Sequence, residues 1–255
     1  GWGDMKRVNA SRQFLAMLAF ALLLTGGTPL WADTVDAVHD GFGAYDSIVF
    51  WGAGYAGDTV AAGAYMLNKS NSTGTGDTWS NGLIPGFCIE LHEPAPDSTV
   101  TYDVEWPDGV YNSYTGEVLG TTKANYLREL WAKHYDPTWA SGGSYSDQQN
   151  STAAVFAAAI WEIIYEKLPA APDGWDVTTD GTIGYGGFRA TNLDTATANK
   201  WLHELTGSGA KADLLVISNH GAQDYLVAVP EPATLVLLAL GGSIGLIGRR
   251  RQRLA

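Results

Sequence analysis

The sequence predicts an α+β fold: a β-sandwich or barrel-like sheet with an inserted helical part of about three helices. Three observations lead to this prediction. Short apolar runs bounded by glycine lie in the first third of residues 33–229, and apolar residues at helical spacing lie in the middle of that stretch. Strand-like runs return before residue 229. No repeat or linker interrupts residues 33–229, so this stretch is predicted to be a single domain.

The first 32 residues have the pattern of a signal peptide. A basic stretch with Lys6, Arg7 and Arg12 leads into an uncharged apolar run over residues 14–24. That run is too short to span a bilayer comfortably, and small residues follow it up to Ala32. We therefore expect export and removal of residues 1–32, and a buried first helix is the alternative.

Strands are predicted first along the exported domain. The runs DSIVFWGAG and VAAGAYMLN are apolar and bounded by glycine, and the stretch 68–82 is rich in turn residues. The segment 84–93 alternates and is predicted to be one half-buried strand. Its two faces carry Phe87, Ile89 and Leu91 on one side and Cys88, Glu90 and His92 on the other.

Three helices are predicted after the strands, over residues 121–136, 146–169 and 191–207. Each has apolar residues at helical spacing, and the second and third end at Pro169 and Gly207. Strand patterns surround the third helix at residues 175–187, 213–219 and 224–230. This mixture is the basis of the α+β prediction.

The predicted domain is strongly acidic. Residues 33–229 hold 25 acidic and 8 basic residues, a formal charge of −17. Nucleic acids and anionic lipids carry phosphate charge, so they are excluded as expected partners. High solubility explains such a surface, and a cation-rich or polysaccharide environment is the functional alternative.

The C-terminal 26 residues have three parts in a fixed order. Pro230-Glu231-Pro232 comes first, an uncharged stretch over residues 233–248 follows, and the chain closes on Arg249, Arg250, Arg251 and Arg253. We predict one transmembrane helix here, with the arginines on the cytoplasmic side. The preceding domain then lies outside, in agreement with the predicted signal peptide.

This tail, residues 230–255, resembles the PEP-CTERM sorting signal. The resemblance implies a partner, the membrane enzyme exosortase of Gram-negative bacteria that make extracellular polysaccharide. It also implies a stay in the inner membrane, then delivery to the outer surface or the extracellular matrix, where polysaccharide is a possible partner. The resemblance concerns where the protein is sorted and implies no activity.

Cys88 is the only cysteine, so an exported chain cannot use it for an internal disulfide. Phe87-Cys88 on a strand, followed by a helix that reads AIWEI, resembles the thioester domains of bacterial surface adhesins. In those domains a glutamine four residues before the helical tryptophan condenses with the thiol. Here Trp161 matches that tryptophan, and the glutamine position falls on Ala157.

Alanine has no carboxamide, so the resemblance implies a domain that has lost its thioester. Gln148 and Gln149 lie ~12 Å or more away along a continuous helix, too far to replace it. Three interpretations of Cys88 stay open: a buried remnant, a free reactive thiol, and a thioester formed with another glutamine. We expect a non-enzymatic exported protein. The alternatives are a covalent thioester adhesin and a secreted polysaccharide-acting hydrolase.

Other candidate sites give weaker signals. The five histidines lack metal-ligand spacing, and Asp173, Asp176 and Asp180 form an acidic turn without the regular spacing of an EF-hand. We expect no metal and no cofactor. Glu90 and Glu162 are the carboxylates nearest to recognisable motifs. Among the tryptophans, core positions are expected for Trp131, Trp161 and Trp201, and exposed, sugar-stacking positions for Trp79, Trp106 and Trp139.

Changing Pro230, Glu231 and Pro232 together to alanine tests the sorting prediction. We expect the tail to stay uncut and the protein to remain in the inner membrane, because exosortase no longer recognises its signal. Fractionation of the producing cells with intact-mass measurement shows this. A matched triple alanine change at Ser70, Asn71 and Ser72 should be sorted normally, and normal release of the tail variant would contradict the prediction.

Overall fold

The computed structural model describes residues 33–179 and 187–230, which form an antiparallel sheet with helices beside it. The described strands are β1 (Thr34–Gly52), β2 (Tyr55–Thr73), β3 (Gly82–Cys88), β4 (Val100–Glu105), β5 (Tyr111–Asn112), β6 (Glu117–Val118), β7 (Phe188–Thr191), β8 (Leu214–Asn219) and β9 (Ala222–Ala228). The described α-helices are α1 (Gly120–His134), α2 (Asp147–Tyr165) and α3 (Thr195–His203).

The predicted signal peptide lies outside the described residues, and so does the predicted sorting tail apart from Pro230. Across the described ranges, no helix is both long and apolar enough to cross a membrane.

Six strands close into a barrel. The main sheet has the order β2-β3-β9-β8-β4-β1-β7. Because β1 also pairs with β2, the six strands from β2 to β1 form a closed ring. Every described pairing in it is antiparallel. Closure satisfies the backbone groups that would otherwise lie at two open edges. The small strand β7 pairs with the far end of β1, beyond the barrel.

The two longest strands bend so that one half of each belongs to the barrel. β1 pairs with β4 over residues 34–37 and with β7 over residues 49–52, and its register on β2 shifts in between. Gly63 of β2 lies at this bend. A Cβ there would be 2.3 Å from the carbonyl oxygen of Ala44, so the close approach of the two backbones requires glycine.

The helix α2 packs against the outer face of β1 and β2. Ser146 and Gln149 form a capping box at its start, and the side chains from Ala153 to Tyr165 are buried without interruption. The helix ends at Tyr165, four residues before Pro169. The Nζ of Lys123 donates to the carbonyl oxygens of Ile164 and Glu166 at 2.8 and 2.6 Å. These bonds satisfy carbonyl groups at the end of the helix that have no partner within it.

Two strand predictions need correction. The alternating segment 84–93 is a strand only up to Cys88, because residues 89–99 leave the ladder and cross to β9 and α2. In that crossing segment the Leu91 N–H donates to the Tyr165 hydroxyl at 2.9 Å, and Pro94 accepts from the Gln223 N–H at 3.1 Å. In the predicted strand 175–187, the described residues form turns, since the Asp176 side chain accepts from the Thr178 N–H.

Glu129 joins α1 to the turn after α3. Its buried carboxylate accepts hydrogen bonds from the backbone N–H groups of Thr206 and Gly207 and pairs with Lys133 at 2.8 Å. Burial acts to raise the pKa of Glu129, but Lys133 and the backbone donors outweigh it, so the pKa is lowered. The charged form is therefore favoured by folding.

Replacing Glu129 by glutamine should lower the free energy of unfolding by ~1–3 kcal/mol, because buried donors lose a charged acceptor. Urea unfolding of both proteins measures this. The difference should be full above pH ~4.3, the ordinary pKa of glutamate, and should vanish as the pH falls through the lowered pKa of the folded state. The exposed Glu117→Gln serves as control, and equal effects of the two changes would contradict this role.

Candidate functional site

Cys88 lies at the end of β3 with its side chain inside the barrel. Phe87, the preceding residue, faces outward and packs on Trp131 and Phe156 of the helices, with ring centroids 5.5 and 4.9 Å away. Neighbouring residues of a strand point to opposite faces, so Cys88 faces the interior. Its side chain is 1 % exposed. The cysteine is therefore closed off from solvent.

One long-range contact and one local contact hold the chain around Cys88. The indole N–H of Trp161 donates to the Cys88 carbonyl oxygen at 2.8 Å, and the Cys88 thiol donates to the Glu90 carbonyl oxygen at 3.2 Å. Tyr165, one helical turn after Trp161, contacts the following segment through its hydroxyl. The helix α2 thus fixes the end of β3 where the thiol lies.

A glutamine side chain lies directly against this thiol. The Nε2 of Gln223 is 3.0 Å from the Sγ of Cys88 and 3.4 Å from the Glu90 carbonyl oxygen. A C–N bond is ~1.33 Å long, so the carboxamide carbon lies within ~4.3 Å of sulfur. Gln223 is 5 % exposed, and its Oε1 has no hydrogen-bond partner among the described residues. Thiol and carboxamide form one buried polar pair.

Strand register explains why these two residues meet. Cys88 pairs directly with Tyr225 across the β3–β9 ladder, and residues opposite each other point to the same face. Gln223 lies two residues from Tyr225 on β9 and therefore also faces the interior. The pair is separated by 135 residues in sequence.

Gln223 is not among the site residues that the sequence patterns predict. The strand predicted from the pattern DYLVAVP begins at Asp224, two residues after the start of β9 at Ala222. The run AQDYLVA alternates in the structure, with Gln223, Tyr225 and Val227 on the inner face. A polar residue on the inner face of a predicted strand is the signal that could have identified it.

The glutamine position suggested by the helix motif is different. Ala157 is buried within α2 and offers only a methyl group. Gln149 is engaged in the capping box with Ser146, and Gln148 is exposed. Neither glutamine is placed to reach Cys88.

Burial raises the pKa of the Cys88 thiol, and the smaller opposing effects of the Glu90 backbone and the Trp161 indole do not cancel it. The thiol is therefore neutral at pH 7. A neutral, enclosed thiol is a poor target for external oxidants or alkylating agents, so the structure disfavours the interpretation of Cys88 as a free reactive cysteine.

An acidic cleft of about 510 Å³ opens beside this pair, on the outer face of the barrel. Five carboxylates line it: Glu90, Glu93, Asp103, Glu105 and Asp224. Asp224 is 6 % exposed, and its carboxylate accepts from the Asn219 N–H at 2.8 Å. Burial, helped by the charges of Glu90 and Glu93, raises the pKa of Asp224 to about 7. One carboxyl group of the cleft thus keeps its proton to a higher pH than an ordinary aspartate does.

The remaining candidate residues are placed as follows. Trp131 and Trp161 are core residues as predicted, and Trp106 is 58 % exposed. The predicted exposure of Trp79 and Trp139 is wrong: the Trp79 indole donates to the Ala228 carbonyl oxygen at 2.8 Å, and Trp139 packs on Phe87 and Phe156. Among the described residues no group of side chains could hold a metal ion, and Asp180 of the acidic turn lies outside them.

Comparison with known proteins identifies the tail. Residues 228–252 match the family model described as the PEP-CTERM protein-sorting motif. The match supports an exported protein that exosortase recognises and that is sorted to the cell surface in Gram-negative bacteria. No curated protein and no solved structure matches the chain. The resemblance to thioester domains gains no support from these comparisons.

Proposed function

We propose that this exported protein carries an internal thioester between Cys88 and Gln223 and uses it to attach covalently to amine groups outside the cell. One observation carries the proposal: a buried carboxamide lies 3.0 Å from a buried thiol. The proposal differs from the expectation of a lost thioester, which rested on Ala157. The protein is consumed in a single reaction and is therefore not an enzyme.

Formation of the bond requires no other reactant. The Cys88 sulfur attacks the carboxamide carbon of Gln223, a C–S bond forms, and the C–N bond breaks. The thiol proton passes to the nitrogen, which leaves as ammonia. The Glu90 carbonyl oxygen accepts from both the thiol and the amide, so it holds the two groups together before they react.

The second step transfers the acyl group. An amine nitrogen attacks the same carbon, the C–S bond breaks, and a proton from the amine goes to sulfur. The products are an amide between Gln223 and the amine, and a restored Cys88 thiol. Burial of both residues keeps water away from the thioester until a nucleophile enters.

Several features outside the pair agree with this function. The match of the tail supports export, and amines on other surface molecules are then the acceptors that the proposal requires. Trp161 and Tyr165 on α2 hold the backbone of residues 88–91 from one side. The ladder between β3 and β9 holds Gln223 from the other.

Intact-mass measurement of the exported protein, before and after alkylation under denaturing conditions, tests the proposal. We expect a mass lower by one ammonia and no alkylation, since sulfur is bonded to carbon. After treatment with methylamine the mass should increase by one methylamine, and one alkyl group should then be taken up.

The control variants separate the roles of the residues. Cys88→Ala and Gln223→Glu should have full mass and no bound methylamine, because one lacks the thiol and the other lacks an amide that can leave. Gln149→Ala should behave as the unmodified protein. Full mass with one alkyl group on the unmodified protein would refute the thioester.

A second candidate function is a secreted polysaccharide-acting hydrolase, favoured by the acidic cleft alone. A glycosidase needs a protonated carboxyl group beside an ionised one. The raised pKa of Asp224 fits it for the protonated role, and one of the four other carboxylates of the cleft would be the ionised group.

Release of sugar fragments from the producer's own polysaccharide measures this activity. Asp224→Asn should abolish the release of sugar fragments. It should leave the intact mass of the protein lower by one ammonia, because the Asp224 side chain faces away from Cys88 and Gln223. Absence of fragments with the unmodified protein excludes the hydrolase.

A further inference from the structure

Two buried tyrosine hydroxyls inside the barrel have no hydrogen-bond partner among the described residues. They belong to Tyr102 on β4 and Tyr225 on β9, and both side chains are fully buried. A buried hydroxyl without a partner loses the hydrogen bonds that it makes in water, at a cost of ~1–3 kcal/mol. Such groups are rare and call for an explanation in terms of function.

The same interior contains an acceptor without a donor. The Oε1 of Gln223 is buried and has no partner among the described residues. Tyr225 points to the same face as Gln223, two residues further along β9, and pairs directly with Cys88. A donor without a partner therefore points into the same interior as both members of the reactive pair.

A third interior tyrosine, Tyr65, already has a hydrogen-bond partner. Tyr65 on β2 packs on Tyr225, with ring centroids 5.5 Å apart, and its hydroxyl donates to the Ala61 carbonyl oxygen at 3.1 Å. The Tyr65 hydroxyl also contacts the Gln223 side chain, and this contact acts to lower the pKa of Tyr65, so the Tyr65 oxygen is the acceptor in it. The Tyr65 proton is thus already used in the bond to Ala61. Tyr225 has no hydrogen-bond partner among the described residues and pairs directly with Cys88, so its proton is the available one.

We propose that the Tyr225 hydroxyl donates a hydrogen bond to the acyl oxygen of Gln223 in the thioester and to the oxyanion formed when an amine attacks. This inference rests on the proposed function and adds a residue that acts on the reacting carbonyl. Negative charge develops on that oxygen in the transition state, so a fixed donor in a dry interior lowers the barrier.

Tyr225 keeps its proton throughout, because it only donates a hydrogen bond. Burial, together with the neighbouring Tyr102 and Cys88, raises the pKa of Tyr225. The titratable groups that act on it are Asp224 on its own strand and three residues on other strands of the barrel, Tyr65, Cys88 and Tyr102. These surroundings hold the hydroxyl in its donor form over the physiological pH range.

Tyr102 provides a matched control. Its hydroxyl is equally buried and equally without a partner, and its ring lies 6.2 Å from that of Tyr225. Its strand β4 pairs with β1 and β8 and is separated from β9 by β8. Tyr102→Phe therefore removes the same atom from the same interior, but further from Cys88.

The experiment compares Tyr225→Phe and Tyr102→Phe with the unmodified exported protein. Intact mass first shows whether each has formed the thioester, and the rate of methylamine incorporation is then measured in a single turnover. We expect Tyr225→Phe to react ~10²-fold more slowly, the loss typical of one oxyanion donor. Tyr102→Phe should react at nearly the unmodified rate.

A spectroscopic measurement distinguishes a donor from a packing residue. Loss of a hydrogen bond raises the stretching frequency of the thioester carbonyl, so the infrared band should shift upward in Tyr225→Phe and stay in place in Tyr102→Phe. Neither change should lower the Tm, because each removes a hydroxyl that has no partner to lose.

The outcomes separate this inference from the proposed function. If the unmodified protein has no thioester, both are refuted. If the thioester forms and Tyr225→Phe reacts at the unmodified rate with an unshifted band, only the role of Tyr225 is refuted. If Tyr102→Phe slowed methylamine incorporation as much as Tyr225→Phe, the role of Tyr225 would also be refuted, because loss of either interior hydroxyl would then have the same effect.

Discussion

The register of β3 on β9 is the constraint on which the site depends. Cys88 pairs with Tyr225, and this single alignment sets Gln223 against the thiol and turns Tyr225 toward the same interior. A shift by one residue would turn Gln223 to the outer face. Closure of the barrel opposes such a shift, because each strand of the ring is bonded on both sides. The Trp161 bond to the Cys88 carbonyl oxygen fixes the same register from the helical side.

The barrel separates two electrostatic environments that lie a few residues apart. Inside it, burial keeps the thiol and the tyrosines in their neutral forms. Outside it, five carboxylates share one cleft, and burial together with mutual repulsion raises the pKa of Asp224 to about 7. The alternation of side chains on β9 produces this contrast, since Gln223 points inward and the adjacent Asp224 points outward.

Local patterns predicted much of the fold and little of the site. The helices α1, α2 and α3 fall almost entirely within their predicted ranges, because their apolar faces repeat at helical spacing. Burial of Trp79 and Trp139 was missed, since loop residues can be covered by parts of the chain that no local pattern identifies. The end of β3 at Cys88 was also missed, because alternation in residues 84–93 continues after the ladder stops.

The sequence by itself determined that the protein carries a sorting signal, since that signal consists of three consecutive parts of a short linear segment. It also determined the helical core, because periodicity is a local property. Only the tertiary structure decided which glutamine meets Cys88. The helix motif pointed to the position of Ala157, whereas the partner is Gln223, 135 residues away from the cysteine. Contacts between strands far apart in the chain depend on register and barrel closure, and no local pattern contains either.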